Sequence, residues 1–123
     1  MRFWIMAAAS LGLIGVSQAA LADGDATAGE AVFHKCALCH SADAGVNKVG
    51  PSLHAVVGRK SASIDGYDYS DALKAANKTW DPATLDQWLT NPREFVPGTK
   101  MVFPGLSKEK DRQDVIAYLE TLK

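Results

Sequence analysis

The chain has 123 residues, of which 47% are hydrophobic and 22% charged, and its 14 acidic and 13 basic residues give a formal net charge of −1. This balance is unlike that of a nucleic-acid-binding protein, and no lysine-rich run or basic helix indicates a membrane surface. The sequence has no repeats or low-complexity tracts, and it predicts one small domain with little core of its own.

The amino-terminal segment has the pattern of a cleavable signal peptide. Arg2 supplies a short positive region, Phe3 to Val16 is apolar, and Ala20-Leu21-Ala22 is an A-x-A cleavage site. We therefore expect residues 1–22 to be removed and residues 23–123 to form one domain in the periplasm. The alternative is an uncleaved anchor, because about 20 apolar residues suffice to cross a bilayer.

The first predicted helix follows this segment. Asp25 can cap its amino end, and we expect the helix to run to the cysteines. One apolar face is predicted by the i, i+3, i+4, i+7 spacing of Gly29, Val32, Phe33 and Cys36. A glycine inside a helix costs about 1 kcal/mol relative to alanine. Gly29 therefore indicates either a close helix–helix crossing or a tolerant surface position.

Both cysteines of the chain lie in the pentapeptide Cys36-Ala37-Leu38-Cys39-His40. C-x-x-C-H is typical of c-type haem attachment, with two thiols spaced for thioether bonds to the porphyrin vinyl groups. The histidine that follows can place a neutral imidazole nitrogen on the iron. The alternative is a thiol–disulfide C-x-x-C, which needs a βαβ context, and the sequence has no strand-rich pattern to provide one.

Two short helices are predicted after a loop over Ser41–Lys60. Ser70 can cap a helix from Asp71 to about Asn77. Asp81-Pro82 opens the second helix with an acidic N-cap and a proline at the first helical position, and Asn91-Pro92 ends it. The apolar face of this second helix comprises Leu85, Trp88 and Leu89.

The carboxyl-terminal part is predicted to be a loop and then a helix. Asn91 to Gly105 contains three prolines and two glycines, so we expect no regular element there. Ser107 can cap the last helix, with Glu109 and Asp111 near its positive end. The inner stripe of this helix comprises Val115, Tyr118, Leu119 and Leu122. This stripe needs a partner, and the Gly29/Phe33 face is the obvious one, so the pattern predicts an all-α fold.

Met101 is the methionine that remains after removal of the signal, and it lies in the proline-rich loop. A structural methionine normally fills a core from a helix face. A loop methionine together with C-x-x-C-H instead favours iron ligation, since His/Met is the cytochrome c ligand pair. His34 and His54 are competing candidates, but each has the ordinary interpretation of a solvated or hydrogen-bonded histidine.

Further segments accompany the C-x-x-C-H motif in a characteristic order. They are Gly29…Phe33, Gly50-Pro51-Ser52-Leu53-His54, Gly58-Arg59-Lys60, Gly66-Tyr67-Asp68-Tyr69, Trp80, Asn91-Pro92, Val96 to Met101, and Asp114 to Leu119. Each is weak alone, but their order is specific. Over nearly all of residues 24–123 the chain resembles a class I cytochrome c, in particular the small periplasmic carriers of bacteria that are related to mitochondrial cytochrome c.

The resemblance implies a fold in which amino- and carboxyl-terminal helices cross and short helices and loops surround one covalent haem c. It implies thioethers at Cys36 and Cys39 and axial ligation by His40 and Met101. It also implies that the Pro51 carbonyl accepts the other ring N–H of His40. Around the haem, the resemblance implies that Tyr69 and Trp80 donate to one propionate with Arg59 nearby, that Thr99 bonds near the other, and that Phe103 covers the exposed edge.

The sequence departs from the mitochondrial pattern at two positions near the methionine. Leu73 and Trp88 stand where those relatives have an asparagine and a tyrosine. An alkyl chain and an indole therefore replace two polar groups that help to hydrogen-bond the ligand sulfur. The loop from His40 to Pro51 is also one residue shorter than in that group. These changes remove no ligand.

The implied function is electron transfer without enzymatic turnover, because a His/Met site leaves no open iron position. Partners are expected at the exposed haem edge: a quinol–cytochrome c oxidoreductase, a terminal oxidase, a photosynthetic reaction centre or a periplasmic dehydrogenase. By resemblance, the edge is surrounded by Lys35, Arg93, Lys100 and Lys108, which would steer a monomeric carrier towards acidic faces. The alternatives are a membrane-tethered form of the carrier and an enzyme, either peroxidase-like or a thiol oxidoreductase.

Overall fold

The computed structural model describes residues 24–123. Its helices are α1 (Ala26–Phe33), α2 (Asp71–Ala76), α3 (Pro82–Thr90), α4 (Pro92–Phe95) and α5 (Glu109–Glu120). In this range there is no β-strand, only an isolated antiparallel bridge between Lys60 and Thr79. None of the helices in residues 24–123 is long and apolar enough to cross a membrane. The predicted signal peptide, residues 1–22, lies outside the described residues, so its cleavage stays a prediction.

Helix α1 begins where the sequence predicts and ends earlier. The Asp25 carboxylate accepts hydrogen bonds from the backbone N–H groups of Thr27 and Ala28 and so caps the helix. The expectation that the helix runs to the cysteines was wrong, because regular helix ends at Phe33. Residues 34–39 form turns in which several N–H groups bond carbonyls three residues back, as Cys36 does to Phe33 at 2.8 Å, while the N–H of Ala37 bonds the same carbonyl from four residues ahead.

The structure confirms the predicted caps of α2 and α3. Ser70 Oγ accepts from the Leu73 N–H at 3.1 Å, and α2 is followed by its C-cap residue Asn77, whose φ of 51° is left-handed. Asp81 Oδ1 accepts from the Thr84 N–H at 2.7 Å. Pro82 then starts α3 at a position where its missing N–H costs nothing.

Two predictions for the carboxyl-terminal part were wrong. The proline-rich segment contains the single-turn helix α4, because Asn91 both ends α3 and caps α4, its Oδ1 accepting from the Glu94 N–H. Ser107 is not the cap of α5: Lys108 holds that position without a side-chain cap bond. The Ser107 carbonyl instead accepts from Arg112 Nη1 at 3.2 Å.

The core lies where α1 crosses α5. Phe33 and Tyr118 rings meet with centroids 5.1 Å apart, and Ile116 is completely buried. Gly29 faces the crossing, since a Cβ there would overlap the Asp114 carbonyl oxygen and lie 2.9 Å from Tyr118 Cβ. Of the two interpretations of Gly29, the close helix crossing is therefore correct. The buried cluster comprises Phe33, Val56, Trp80, Leu85, Trp88, Leu89, Val96, Leu106, Val115, Ile116 and Leu119.

A buried carboxylate stabilises the same crossing of α1 and α5. Asp114 Oδ1 accepts from the Asp25 backbone N–H at 2.9 Å, and Asp114 Oδ2 accepts from Lys110 Nζ at 2.6 Å. The Asp114 side chain is 6% exposed. These bonds, first that from Asp25 and then that from Lys110, lower the pKa of Asp114. The ionised carboxylate thus joins the start of α1 to the middle of α5.

We expect Asp114→Asn to lower the stability of the protein at neutral pH and to matter less in acid. A carboxyl whose folded pKa is depressed stabilises the fold above its unfolded pKa of about 3.9, and this contribution is lost as the pH falls through the folded pKa. Urea unfolding between pH 3 and pH 7 measures the difference. Asp71→Asn is the control, because the Asp71 side chain is fully exposed. A constant gap between wild type and Asp114→Asn across this range would contradict the assignment.

Candidate functional site

The two cysteines lie in the tight turns that follow α1. The N–H groups of Cys39 and His40 both donate to the Cys36 carbonyl, at 3.0 and 2.9 Å. Both thiols are half-buried and unpaired. Burial raises the pKa of Cys36 to about 11, against the effect of Lys35. A nucleophilic thiolate at Cys36 is therefore disfavoured.

The imidazole of His40 is held in one orientation. Its Nδ1 lies 2.7 Å from the Pro51 carbonyl oxygen, which can only accept, so Nδ1 carries the proton and Nε2 is left with a lone pair. Burial, together with the nearby Arg59 and Lys48, lowers the pKa of His40, although the bond to Pro51 acts in the opposite direction. The result is a neutral, oriented imidazole that can coordinate a metal through Nε2.

The segment 48–50 packs on the cysteine turns and fixes them further. The Gly50 N–H donates to the Cys39 carbonyl at 2.8 Å, and Lys48 Nζ donates to the Ala37 carbonyl at 2.6 Å. A Cβ at Gly50 would overlap the His40 ring, so only glycine fits there. Sequence reasoning missed the contact of Lys48, because nothing in the local pattern predicts a bond across eleven residues of loop.

Met101 lies in an irregular loop after α4. It is half-buried and, like Cys36 and Phe103, packs against the core cluster. The Met101 N–H donates to Thr99 Oγ1 at 3.4 Å, and the Thr99 N–H donates to the Val96 carbonyl at 3.1 Å. The loop rejoins α3 through the bond from the Leu106 N–H to the Leu89 carbonyl.

Arg59, Tyr69 and Trp80, the residues assigned to one propionate by resemblance, lie together. The backbone N–H of Trp80 donates to the backbone carbonyl of Arg59 at 2.8 Å. Arg59 Nη1 donates to the carbonyls of Ser52 and His54, and burial lowers the pKa of the guanidinium, with Tyr69 acting against it. Tyr69 is buried, and its hydroxyl accepts from the Ile64 N–H, so its own proton remains available to another acceptor.

The two positions that depart from the mitochondrial pattern belong to the same apolar interior against which Met101 packs. Trp88 is buried, and its ring centroid lies 5.3 Å from that of Trp80. Leu73 and Phe103 are partly buried against the same cluster. The two departures from the mitochondrial pattern are thus part of the packed interior.

Exposed apolar side chains lie on the cysteine turns, on the adjoining segment 48–50 and directly after Met101 in the chain. Leu38, Val49 and Val102 are 79%, 78% and 77% exposed. Of the competing histidines, His34 lies at the start of the same turns but is exposed, and His54 is half-buried with its carbonyl bonded to Arg59.

These side chains fit a c-type haem by the chemistry of the donor set. Two thiols two residues apart can form the thioethers, and an oriented imidazole and a thioether sulfur can ligate iron. Gly50 leaves room for the imidazole ring, and a half-buried arginine and a buried tyrosine suit a carboxylate group such as a propionate.

Comparison with known proteins agrees with this fit. The cytochrome c family model matches residues 26–123. Cytochrome c-554 of Methylosinus trichosporium is 49% identical over 113 residues, which are 91% of this chain and 86% of that protein. Cytochrome c2 of Rhodomicrobium vannielii is 47% identical over 121 residues, covering 94% of this chain and 97% of that protein.

A solved structure agrees as well. Cytochrome cH from Methylobacterium extorquens is 55% identical and superposes with a TM-score of 0.75, covering 80% of this chain and 99% of that chain. The predicted all-α class I fold is thereby confirmed. The chain belongs to the cytochrome c family as a class I c-type cytochrome, and it carries one haem c bound covalently through Cys36 and Cys39.

Proposed function

We propose that this cytochrome is a periplasmic one-electron carrier whose iron is ligated by His40 and Met101. The observation that carries the proposal is the orientation of His40 by the Pro51 carbonyl at 2.7 Å, which leaves Nε2 free on a neutral ring. Met101 is the one methionine among residues 24–123. It is half-buried and lies in a loop rather than on a helix face. With both axial positions filled by protein side chains, no site for substrate turnover remains, which supports a carrier rather than an enzyme.

The surrounding side chains set the conditions for electron transfer. The bound haem supplies the chemistry, in which its iron alternates between Fe(II) and Fe(III) with both ligands kept. The Met101 sulfur favours the reduced form and raises the midpoint potential. Trp80, Trp88 and Leu73 provide an apolar interior, which disfavours the additional positive charge of the oxidised form. Arg59, Tyr69 and Trp80 would bind one propionate, Thr99 would lie near the other, and Phe103 would cover the edge.

Redox partners would dock over the cysteine turns. Leu38 and Val49 supply exposed apolar area there, and Val102 supplies more beside Met101 in the chain. Small, transient electron-transfer interfaces use such area. Lys35, Arg93 and Lys108 are exposed, and Lys100 is half-exposed beside Asp68. These cations would steer the protein towards acidic faces, such as those of a quinol–cytochrome c oxidoreductase, a terminal oxidase, a reaction centre or a periplasmic dehydrogenase.

We expect a redox-titrated visible and near-infrared spectrum of the purified holoprotein to show one haem, a single one-electron transition and, when oxidised, the weak band of iron–methionine sulfur ligation. The reduced protein should bind CO weakly, because Met101 fills the position that CO needs. Tight CO binding by the native reduced protein would instead favour a peroxidase-like enzyme.

The same preparation tests the location of the protein. Removal of residues 1–22 gives an intact mass of residues 23–123 plus one haem in the periplasmic fraction. A mass that still includes residues 1–22, recovered with membranes, would instead identify a tethered carrier.

A further inference from the structure

Tyr67 connects the His40 side of the site to another loop. Its hydroxyl donates to the Val49 carbonyl at 2.6 Å. Val49 lies within segment 48–50, which is bonded to the cysteine turns through Gly50 and Lys48. The Tyr67 ring also packs edge-on against the buried Tyr69, with centroids 4.7 Å apart, so this contact restrains the ring further.

The other side of Tyr67 meets the segment that carries Met101. Lys100 Nζ lies 5.7 Å from the centroid of the Tyr67 ring and 3.6 Å from Asp68 Oδ2. Lys100 directly precedes Met101 in the chain. The contacts of Val49, Tyr67, Asp68 and Lys100, here named the Tyr67 brace, therefore join the segment before Met101 to the segment beside His40.

The Tyr67 brace matters because few other contacts hold residues 100–105 to neighbouring segments. In the part of the chain that the structure describes, no backbone N–H or carbonyl of residues 100–105 bonds to another segment; the first such bond comes from Leu106. Met101 and Phe103 are held by packing against the core. An external ligand can reach the position of the Met101 sulfur only when this segment swings outward, and that movement must break the contacts of Lys100.

We propose that Tyr67 is a positioning residue that limits the opening of the Met101 segment and so keeps external ligands from the site. The proposal rests on the proposed ligation by Met101. Loss of one uncharged hydrogen bond changes an equilibrium by about two- to tenfold, whereas an exposed ion pair such as Lys100–Asp68 contributes less. The bond from Tyr67 to Val49 is therefore the strongest single part of the brace.

Imidazole binding to the oxidised holoprotein tests the proposal. The binding is measured through the loss of the iron–methionine sulfur band. Tyr67→Phe keeps the ring beside Lys100 and Tyr69 but removes the bond to Val49, and we expect it to bind imidazole about two- to tenfold more tightly. Tyr118→Phe is the matched control, since its ring packs on Phe33 at the helix crossing, and it should leave imidazole affinity unchanged. Equal affinities in Tyr67→Phe and wild type would overturn the proposal.

A double-mutant cycle separates positioning from a merely structural role. If Tyr67 acts through Met101, Tyr67→Phe has no effect on imidazole affinity in a Met101→Ala background, because the site is already open. An equal increase in both backgrounds would show that Tyr67 acts in another way and would overturn the proposal. Failure of the proposed ligation has a different signature: wild type itself would bind imidazole without competition and would lack the iron–sulfur band.

Discussion

Replacement of Met101 by alanine is expected to lower the midpoint potential by a few tenths of a volt, since axial ligands set haem potentials over a range of about 0.8 V. The thioether sulfur favours the reduced form, and a water or an external ligand in its place does not. The same variant should lose the iron–sulfur band and should bind CO when reduced. Redox titration and CO difference spectra measure these changes.

Met101→Leu separates ligation from packing. Met101 packs against the core, so the alanine variant also loses apolar contacts. Leucine has nearly the same volume, and such swaps usually cost less than about 1.5 kcal/mol, but it has no sulfur. We expect the leucine variant to show the same fall in potential with little loss of stability. Val102→Ala, one residue along and 77% exposed, should keep the wild-type potential. An unchanged potential in both Met101 variants would rule out this ligand.

The features that the sequence predicted best are the helix caps, which depend on a few neighbouring residues. Asp25, Ser70 and Asp81 cap their helices because a short polar side chain reaches N–H groups two or three residues ahead. Ser107 fits the same pattern and does not cap, because α5 begins one residue later than the pattern predicts. Local patterns indicate where a cap can lie, but they locate the start of a helix only to within one or two residues.

Contacts between distant segments could not be predicted from one sequence. The bond from Asp25 to Asp114 joins residues 89 positions apart, and in the sequence Asp114 stood out only as the first residue of the segment Asp114 to Leu119. The contacts of Lys48 and Tyr67 likewise depend on how loops fold over one another. The contact of His40 with Pro51 was expected only because the chain resembles a known family, and spacing alone does not imply it.

Gly29→Ala is the substitution with the largest expected effect on stability. A methyl group at Gly29 would overlap the Asp114 carbonyl oxygen, which is backbone and cannot rotate away, and would crowd Tyr118 Cβ at 2.9 Å. Helices α1 and α5 must then separate, which costs about 3 kcal/mol or more. The better helix propensity of alanine offsets only about 1 kcal/mol. For a domain of this size we expect the melting temperature to fall by roughly 10 °C or more.

Ala31→Gly provides the control for this effect, because Ala31 lies on the exposed side of the same helix. It introduces the reverse change in helix propensity without any change at the crossing, and it should cost about 1 kcal/mol. Thermal unfolding of the reduced holoprotein compares the two variants. If helix propensity controlled stability at position 29, Gly29→Ala would be more stable than wild type and Ala31→Gly less stable. The crossing predicts that both lose stability and that Gly29→Ala loses more, because the Phe33–Tyr118 contact and the Asp114 bonds lie on the same interface.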